Sequence, residues 1–184
     1  VERSLLVTLF LTMVLLYTGS VITRELGGSF ASRFAWIEEA VRMMNLFLVV
    51  EIGDHHVTLL DGDSMEPIHR FASRYALHGG PKYSPDGRYV YFGSRDGWIT
   101  KYDLYNLKVV AEIRAGINMR NIAVSADGNY VLAANYLPHS MVLFDAANLE
   151  MLDFIPVEND AGDSSRVSAV YAAPPRSSFI AALK

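Results

Sequence analysis

The 184-residue sequence contains no cysteine. That absence excludes disulfides, zinc-thiolate and iron-sulfur sites, catalytic thiols and the thioether attachment of a c-type haem. Any metal or cofactor must therefore be held by His, carboxylate, Tyr or Met side chains. Excess positive charge is missing too: 16 Lys and Arg against 20 Asp and Glu give −4, which argues against nucleic acid as a partner. The chain has no G-x-S-x-G elbow, Walker loop, H-E-x-x-H pair or EF-hand loop, and Asp61-Gly62-Asp63 is too short for a calcium site. What remains is a 51% hydrophobic, 20% charged chain of about one globular domain.

Long apolar runs are scarce, with one exception. From Leu5 to Tyr17 the chain reads LLVTLFLTMVLLY, uncharged, after Glu2 and Arg3 and before Thr18-Gly19-Ser20. This is the layout of a secretory signal peptide. Residues 1–22 are read as a signal or as an uncleaved anchor, because the run extended to Ile22 approaches membrane-spanning length. Export is expected, with membrane contact confined to this segment. Residues 23–45 predict a linker with one short helix, capped by Ser32 and with Phe34, Ile37, Val41 and Met44 on one face.

Beyond the linker the sequence repeats. SPDGRYVYFGSRDGW starts at Ser84 and SADGNYVLAANYLPH at Ser125, and Asp61, Asp103 and Asp145 each follow an apolar run. The resulting period of about 42 residues, with several short strands per unit, predicts an all-β chain of the β-propeller type. Within one unit the expected strands are Pro81–Pro85, Arg88–Ser94, Trp98–Leu104 and Lys108–Ala115, with Asp-Gly pairs supplying positive φ in the turns. Leu46–Ile52 and Val57–Leu60 start an earlier unit. Two full units and the start of another follow, so residues 46–184 are expected to form about three blades of a longer propeller.

In a propeller, the loop before each innermost strand and the turn between strands two and three open on one face, beside the channel. His78, Arg120 and Arg166 take the first position in successive units, and Arg95 and His139 take the second. Cation-capable groups at one mouth of a net negative chain suit a ligand bearing several carboxylates or phosphates. Each has a plainer reading as well. His78 would be a loop histidine bonded to backbone, and Arg95 a solvated turn residue. Arg120 and Arg166 precede the apolar strands NIAVS and VSAVY, where a lone charge needs a reason. The glycines after His78 would let a flat ligand approach. His55 and His56 fall at a hairpin tip, His69 on an outer strand, and Tyr136 is read as packing on the channel wall; His139 fits either reading.

The run HGGPKYSPDGRYVYFGSRDGWITKYDLYNLKVVAEIRAGINMRNIAVSADGNYVLAANYLPH looks like the haem d1 propeller of the cytochrome cd1 nitrite reductase family, and SSRVSAVYAAPPRSSFIAALK fits its next blade. This resemblance covers Leu46 to Lys184. It implies an eight-bladed propeller holding non-covalent haem d1 over its channel. His78 would be the proximal iron ligand, and Arg95, Arg120 and Arg166 would pair with the carboxylates of the macrocycle. It further implies a periplasmic protein of denitrification, acting in nitrite reduction or in haem d1 maturation. Its ligand would be haem d1 or a precursor, and its partners a cytochrome c or other maturation proteins.

The sequence departs from the reductases in three places. Without cysteine this chain carries no c-type haem, the distal histidines of the reductases belong to blades beyond Lys184, and Ile52 stands where a basic contact is expected. An apolar stretch leading almost directly into the propeller resembles the maturation members that lack the c domain. Two other classes compete: a propeller serving as a protein-interaction platform, which needs no iron, and a lactonase-like hydrolase, which predicts acidic metal ligands at the channel.

Overall fold

Two short repeated motifs set where the chain turns. Ser84 and Ser125 donate their hydroxyls to Asp86 and Asp127, each at 2.5 Å, while the amides of Gly87 and Gly128 close the turns on the carbonyls of the same serines at 2.9 Å. Both glycines have positive φ, 71° and 76°, a conformation open to them for want of a Cβ. The repeated aspartates serve the opposite ends of the strands. Asp61, Asp103 and Asp145 each accept backbone amides two or three residues ahead, mimicking a backbone turn. Each of these turns then passes through a positive-φ residue, Met65, Leu107 or Leu149.

The computed structural model describes residues 45–184. The expected signal or anchor and the linker helix with Ser32, Phe34, Ile37, Val41 and Met44 lie outside the described residues. Thirteen strands fall within them. β1 (Leu46–Glu51), β2 (His56–Asp61) and β3 (Pro67–Ala72) form one antiparallel sheet. β4 (Lys82–Tyr83), β5 (Tyr89–Gly93), β6 (Trp98–Asp103) and β7 (Lys108–Arg114) form the second. The third holds β8 (Asn118–Val124), β9 (Tyr130–Leu137), β10 (Ser140–Asp145) and β11 (Met151–Pro156), and β12 (Val167–Ala172) pairs with β13 (Phe179–Leu183). In every sheet neighbours in sequence are neighbours in space, as expected for propeller blades. The expected Pro81–Pro85 strand is shorter than its repeat suggested, because its ladder is interrupted between the Leu77–Ser94 bridge and Lys82.

The strands are apolar on both faces because blades pack face to face. Val90, Tyr91 and Phe92 are all buried on β5. Phe71 stacks on Tyr102 at 4.0 Å between the first two sheets, and Tyr91 and Ile99 meet Met119, Ile122 and Phe144 between the next two. Ala123, Leu132 and Ala134 meet Val167 and Val170. Each large side chain so buried contributes about 2 kcal/mol. A buried cation adds a polar tie: Lys101, 4% exposed, donates to the carbonyls of Ala146 and Ala147 at 2.8 and 2.9 Å and lies 4.0 Å from the Tyr89 ring centroid.

Asp103, 2% exposed, gives a measurable consequence. Burial alone would raise its pKa, but hydrogen bonds from Arg88, from Asn106 and from two backbone amides bring it down from 3.8 to about 2. Its folded pKa lies below its unfolded one, so its contribution is complete above about pH 4 and is lost as pH falls toward 2. That contribution is about 2 kcal/mol. Asp103→Asn should therefore lower the urea midpoint at pH 7 and flatten the pH dependence of stability between pH 4 and 2.

Candidate functional site at the ends of the inner strands

At one end of the sheets the innermost strands β4, β8 and β12 all lose their regular ladder, and the expected site residues lie at those irregularities. The first falls between the Leu77–Ser94 bridge and the Lys82–Tyr91 pair, where four residues on one side face two on the other. His78, Gly79 and Gly80 occupy the extra length. In the third sheet the register passes from Asn118↔Leu137 to Met119↔Asn135 to Asn121↔Ala134, so Tyr136 on β9 and Arg120 on β8 are left without a partner in the ladder. Between β12 and β13 the register passes from Val167↔Leu183 to Ala169↔Ala182, leaving out Ser168, two residues beyond Arg166. Bulges re-aim side chains that a regular ladder would send elsewhere.

These re-aimed side chains converge. The guanidinium carbon of Arg120 lies 4.7 Å from the centroid of the Tyr136 ring and that of Arg166 lies 5.7 Å from it. Arg95, in the β5–β6 turn, is fixed through its backbone: its amide donates to Ala76 O at 3.1 Å and its carbonyl accepts from Met119 N at 3.0 Å. The His78 amide donates to Gly93 O at 2.8 Å, and its half-buried imidazole has no hydrogen-bond partner among the described residues. Burial lowers the His78 pKa, and the positive charges of Arg120 and Arg95 lower it further. The ring is therefore neutral at pH 7, with a lone pair free to donate. The Tyr136 phenol is also held below its ordinary pKa, first by the Ser168 hydroxyl and then by the charges of Arg120, Lys184 and Arg166.

The arginines of this cluster differ from three elsewhere in the fold. Arg70 pairs with Glu51 and Asp54, Arg74 with Glu112, and Arg88 with Asp103. Arg95, Arg120 and Arg166 have no carboxylate partner among the described residues. Exposed apolar side chains occur at strand ends: Ile117, 65% exposed, donates its amide to the carbonyl of Leu137, 51% exposed, at 2.9 Å, and Ile52 beyond β1 is exposed as well. A cavity of about 680 Å³ lies at the opposite ends of the strands, lined by Tyr89, Lys101, Asp127 and Asp145 among others. There Asp127 and Asp145 hold Ser125 and a backbone amide, and Lys101 is satisfied by carbonyls. The unpartnered cations, and hence the capacity for an anionic ligand, are at the other end.

Tyr136, expected to pack on the channel wall, lies under both guanidinium groups. The sequence carries no signal for a second residue of the site. Lys82 donates to the carbonyls of Gly79 and Gly80 at 2.6 and 3.3 Å and so holds the loop that carries His78. Of the other histidines, His55 lies at the hairpin tip, 5.2 Å from Tyr75, His56 opens β2 and His69 is on the outer strand β3. His139 Nδ1 lies 2.7 Å from Ser164 Oγ, a tie to the loop ahead of Arg166.

The two glycines after His78 also separate. Gly79 has φ +81°, and a Cβ there would sit 2.4 Å from Asn121 Oδ1 and 3.2 Å from the Arg120 carbonyl. Gly80 has φ +72°, with its nearest contact, Lys82 Nζ, at 3.9 Å. Gly79 thus admits the neighbouring strand, and only Gly80 faces open space. Gly79→Ala should cost about 1–3 kcal/mol in a urea unfolding measurement, and more than Gly80→Ala, which bears the backbone strain without the collision.

Repeated antiparallel sheets packed face to face, with loops converging at one end, define a β-propeller. A β-propeller domain of Cps50 (Swd1) from Myceliophteria thermophila superposes with a TM-score of 0.63 over 74% of this chain and 46% of that one, at 16% identity, a likeness of fold alone. The cytochrome D1 heme domain family matches residues 41–184, and the chain belongs to that family. It is 69% identical over 141 residues to the dihydro-heme d1 dehydrogenase of Pseudomonas aeruginosa, covering 77% of this chain and 29% of that protein. The structure of dihydro-heme d1 dehydrogenase NirN in complex with DHE matches with a TM-score of 0.76 at 68% identity, over 77% of this chain and 30% of that one. The chain thus spans less than a third of these relatives.

Proposed function

We propose that this chain forms part of the haem d1 site of an exported protein of denitrification that matures haem d1, binding the cofactor or its dihydro precursor non-covalently. The observation that carries this reading is the pairing of a neutral, unpartnered imidazole with three arginines that have no carboxylate partner among the described residues. Those donors fit an iron macrocycle with anionic substituents: imidazole suits iron, and guanidinium suits carboxylate. The similarity to a dihydro-heme d1 dehydrogenase favours maturation over nitrite reduction. The apolar run from Leu5 to Tyr17 supports export to the periplasm.

In this reading His78 holds the iron through a ring nitrogen, and Arg95, Arg120 and Arg166 orient the macrocycle by its carboxylates. Ile117 and Leu137 offer apolar surface to its flat body and keep water from it. When bound, the cofactor supplies the redox chemistry. This chain's residues supply its position, and a cytochrome c is the candidate electron partner. Burial and the charges of Arg120 and Arg95 lower the His78 pKa, which favours the unprotonated nitrogen that an iron ligand needs.

The test is an absorbance titration of the full-length protein with haem d1. Stoichiometric binding with iron bands of a nitrogen-ligated haem supports the reading. A folded protein that leaves the haem d1 spectrum unchanged overturns it and favours a protein-interaction platform.

A further inference from the structure

We propose that Tyr136 is a positioning residue that sets the separation of Arg120 and Arg166, making the site selective for a ligand with two separate carboxylates. The inference rests on the haem d1 reading and adds to it a determinant of ligand choice. Three register breaks fall at this point: two in the β8–β9 ladder, which leave out Arg120 and Tyr136, and one between β12 and β13, which leaves out Ser168. Each bulge sacrifices regular pairing, and their coincidence on neighbouring strands is explained by where the three side chains go.

Both guanidinium groups lie over the same ring, at 4.7 and 5.7 Å from its centroid. Two like charges on long side chains would otherwise repel and sample many rotamers. The negative face of the ring offsets that repulsion and holds each group in place. An arginine over an aromatic ring engages through the face of its guanidinium plane, which leaves the N–H fork at the plane's edge free for a carboxylate. The two forks are therefore preorganised at a spacing fixed by one ring, and a ligand whose carboxylates match that spacing binds without ordering them first.

The experiment compares haem d1 with its methyl-esterified form, titrated into the full-length wild type and into Tyr136→Leu and Tyr136→Phe. Leucine fills much of the ring's volume without a π face, and Tyr136→Ala serves in its place if thermal melting shows Tyr136→Leu unfolded. In the leucine variant the affinity for the free acid should fall about tenfold while that for the ester changes little, so the preference for acid over ester shrinks. Tyr136→Phe should keep the wild-type preference. Equal losses for acid and ester, or a phenylalanine variant as impaired as leucine, overturn the positioning role and leave the haem d1 reading standing. A wild type that binds neither form overturns both.

Discussion

Replacing His78 with alanine is expected to leave the sheets folded and to strip the bound iron of its protein ligand. The imidazole is half-buried and has no hydrogen-bond partner among the described residues, and the backbone bond to Gly93 O does not need the side chain. Its removal should change stability by less than about 1 kcal/mol. The effect on the cofactor is of another order, because a coordinate bond has no nearby substitute. The charged groups that act on His78 are Arg120 and Arg95, which cannot ligate iron, and no cluster of three metal-binding side chains occurs among the described residues. Affinity for haem d1 should fall about a hundredfold or more, and the absorbance bands should move to those of a haem lacking the imidazole. Added imidazole should restore part of the wild-type spectrum. An unchanged spectrum in the variant would assign the iron to another residue.

The second large effect is expected from Arg120→Gln and Arg166→Gln. Each guanidinium removed from a carboxylate contact costs about 1.5–3 kcal/mol, which is roughly a tenfold to hundredfold loss of affinity. Because both groups lie over Tyr136, the double variant should lose less than the product of the single losses. Salt offers an independent check. Arg166 is exposed and Arg120 half-buried, so affinity should fall with ionic strength in the wild type and less steeply in the double variant. Stability should be nearly unaffected, since neither arginine has a carboxylate to leave behind among the described residues. Titrations at two salt concentrations read all of this.

The blades were legible because their turns are written locally. Ser84-Pro85-Asp86-Gly87 and Ser125-Ala126-Asp127-Gly128 close on themselves through one hydroxyl, one carboxylate and one glycine amide, so their spacing exposes the repeat directly. The positions of His78, Arg120 and Arg166 followed from the same period. What the period could not supply depends on two strands at once. A bulge is a property of register, so nothing in the local sequence marks Tyr136 or Ser168 as unpaired. The positive φ of Met65, Leu107 and Leu149 is likewise imposed by the aspartate-led turns around them, against the preference of those residue types. Gly79 was read as making room for a ligand, whereas the room is taken by Asn121 and the Arg120 backbone of the next blade. Lys82 was missed because a lysine four residues after a histidine has no signature until the loop between them folds back.

The central claim is that the cofactor binds where the inner strands break their ladders. The most direct measurement is an experimental structure of the full-length protein with haem d1 bound. Iron is expected on His78, with the macrocycle's carboxylates on Arg120 and Arg166 beside the Tyr136 ring. A macrocycle found in the cavity at the opposite end, beside Lys101 and Asp145, or an iron ligated by a residue other than His78, would contradict it.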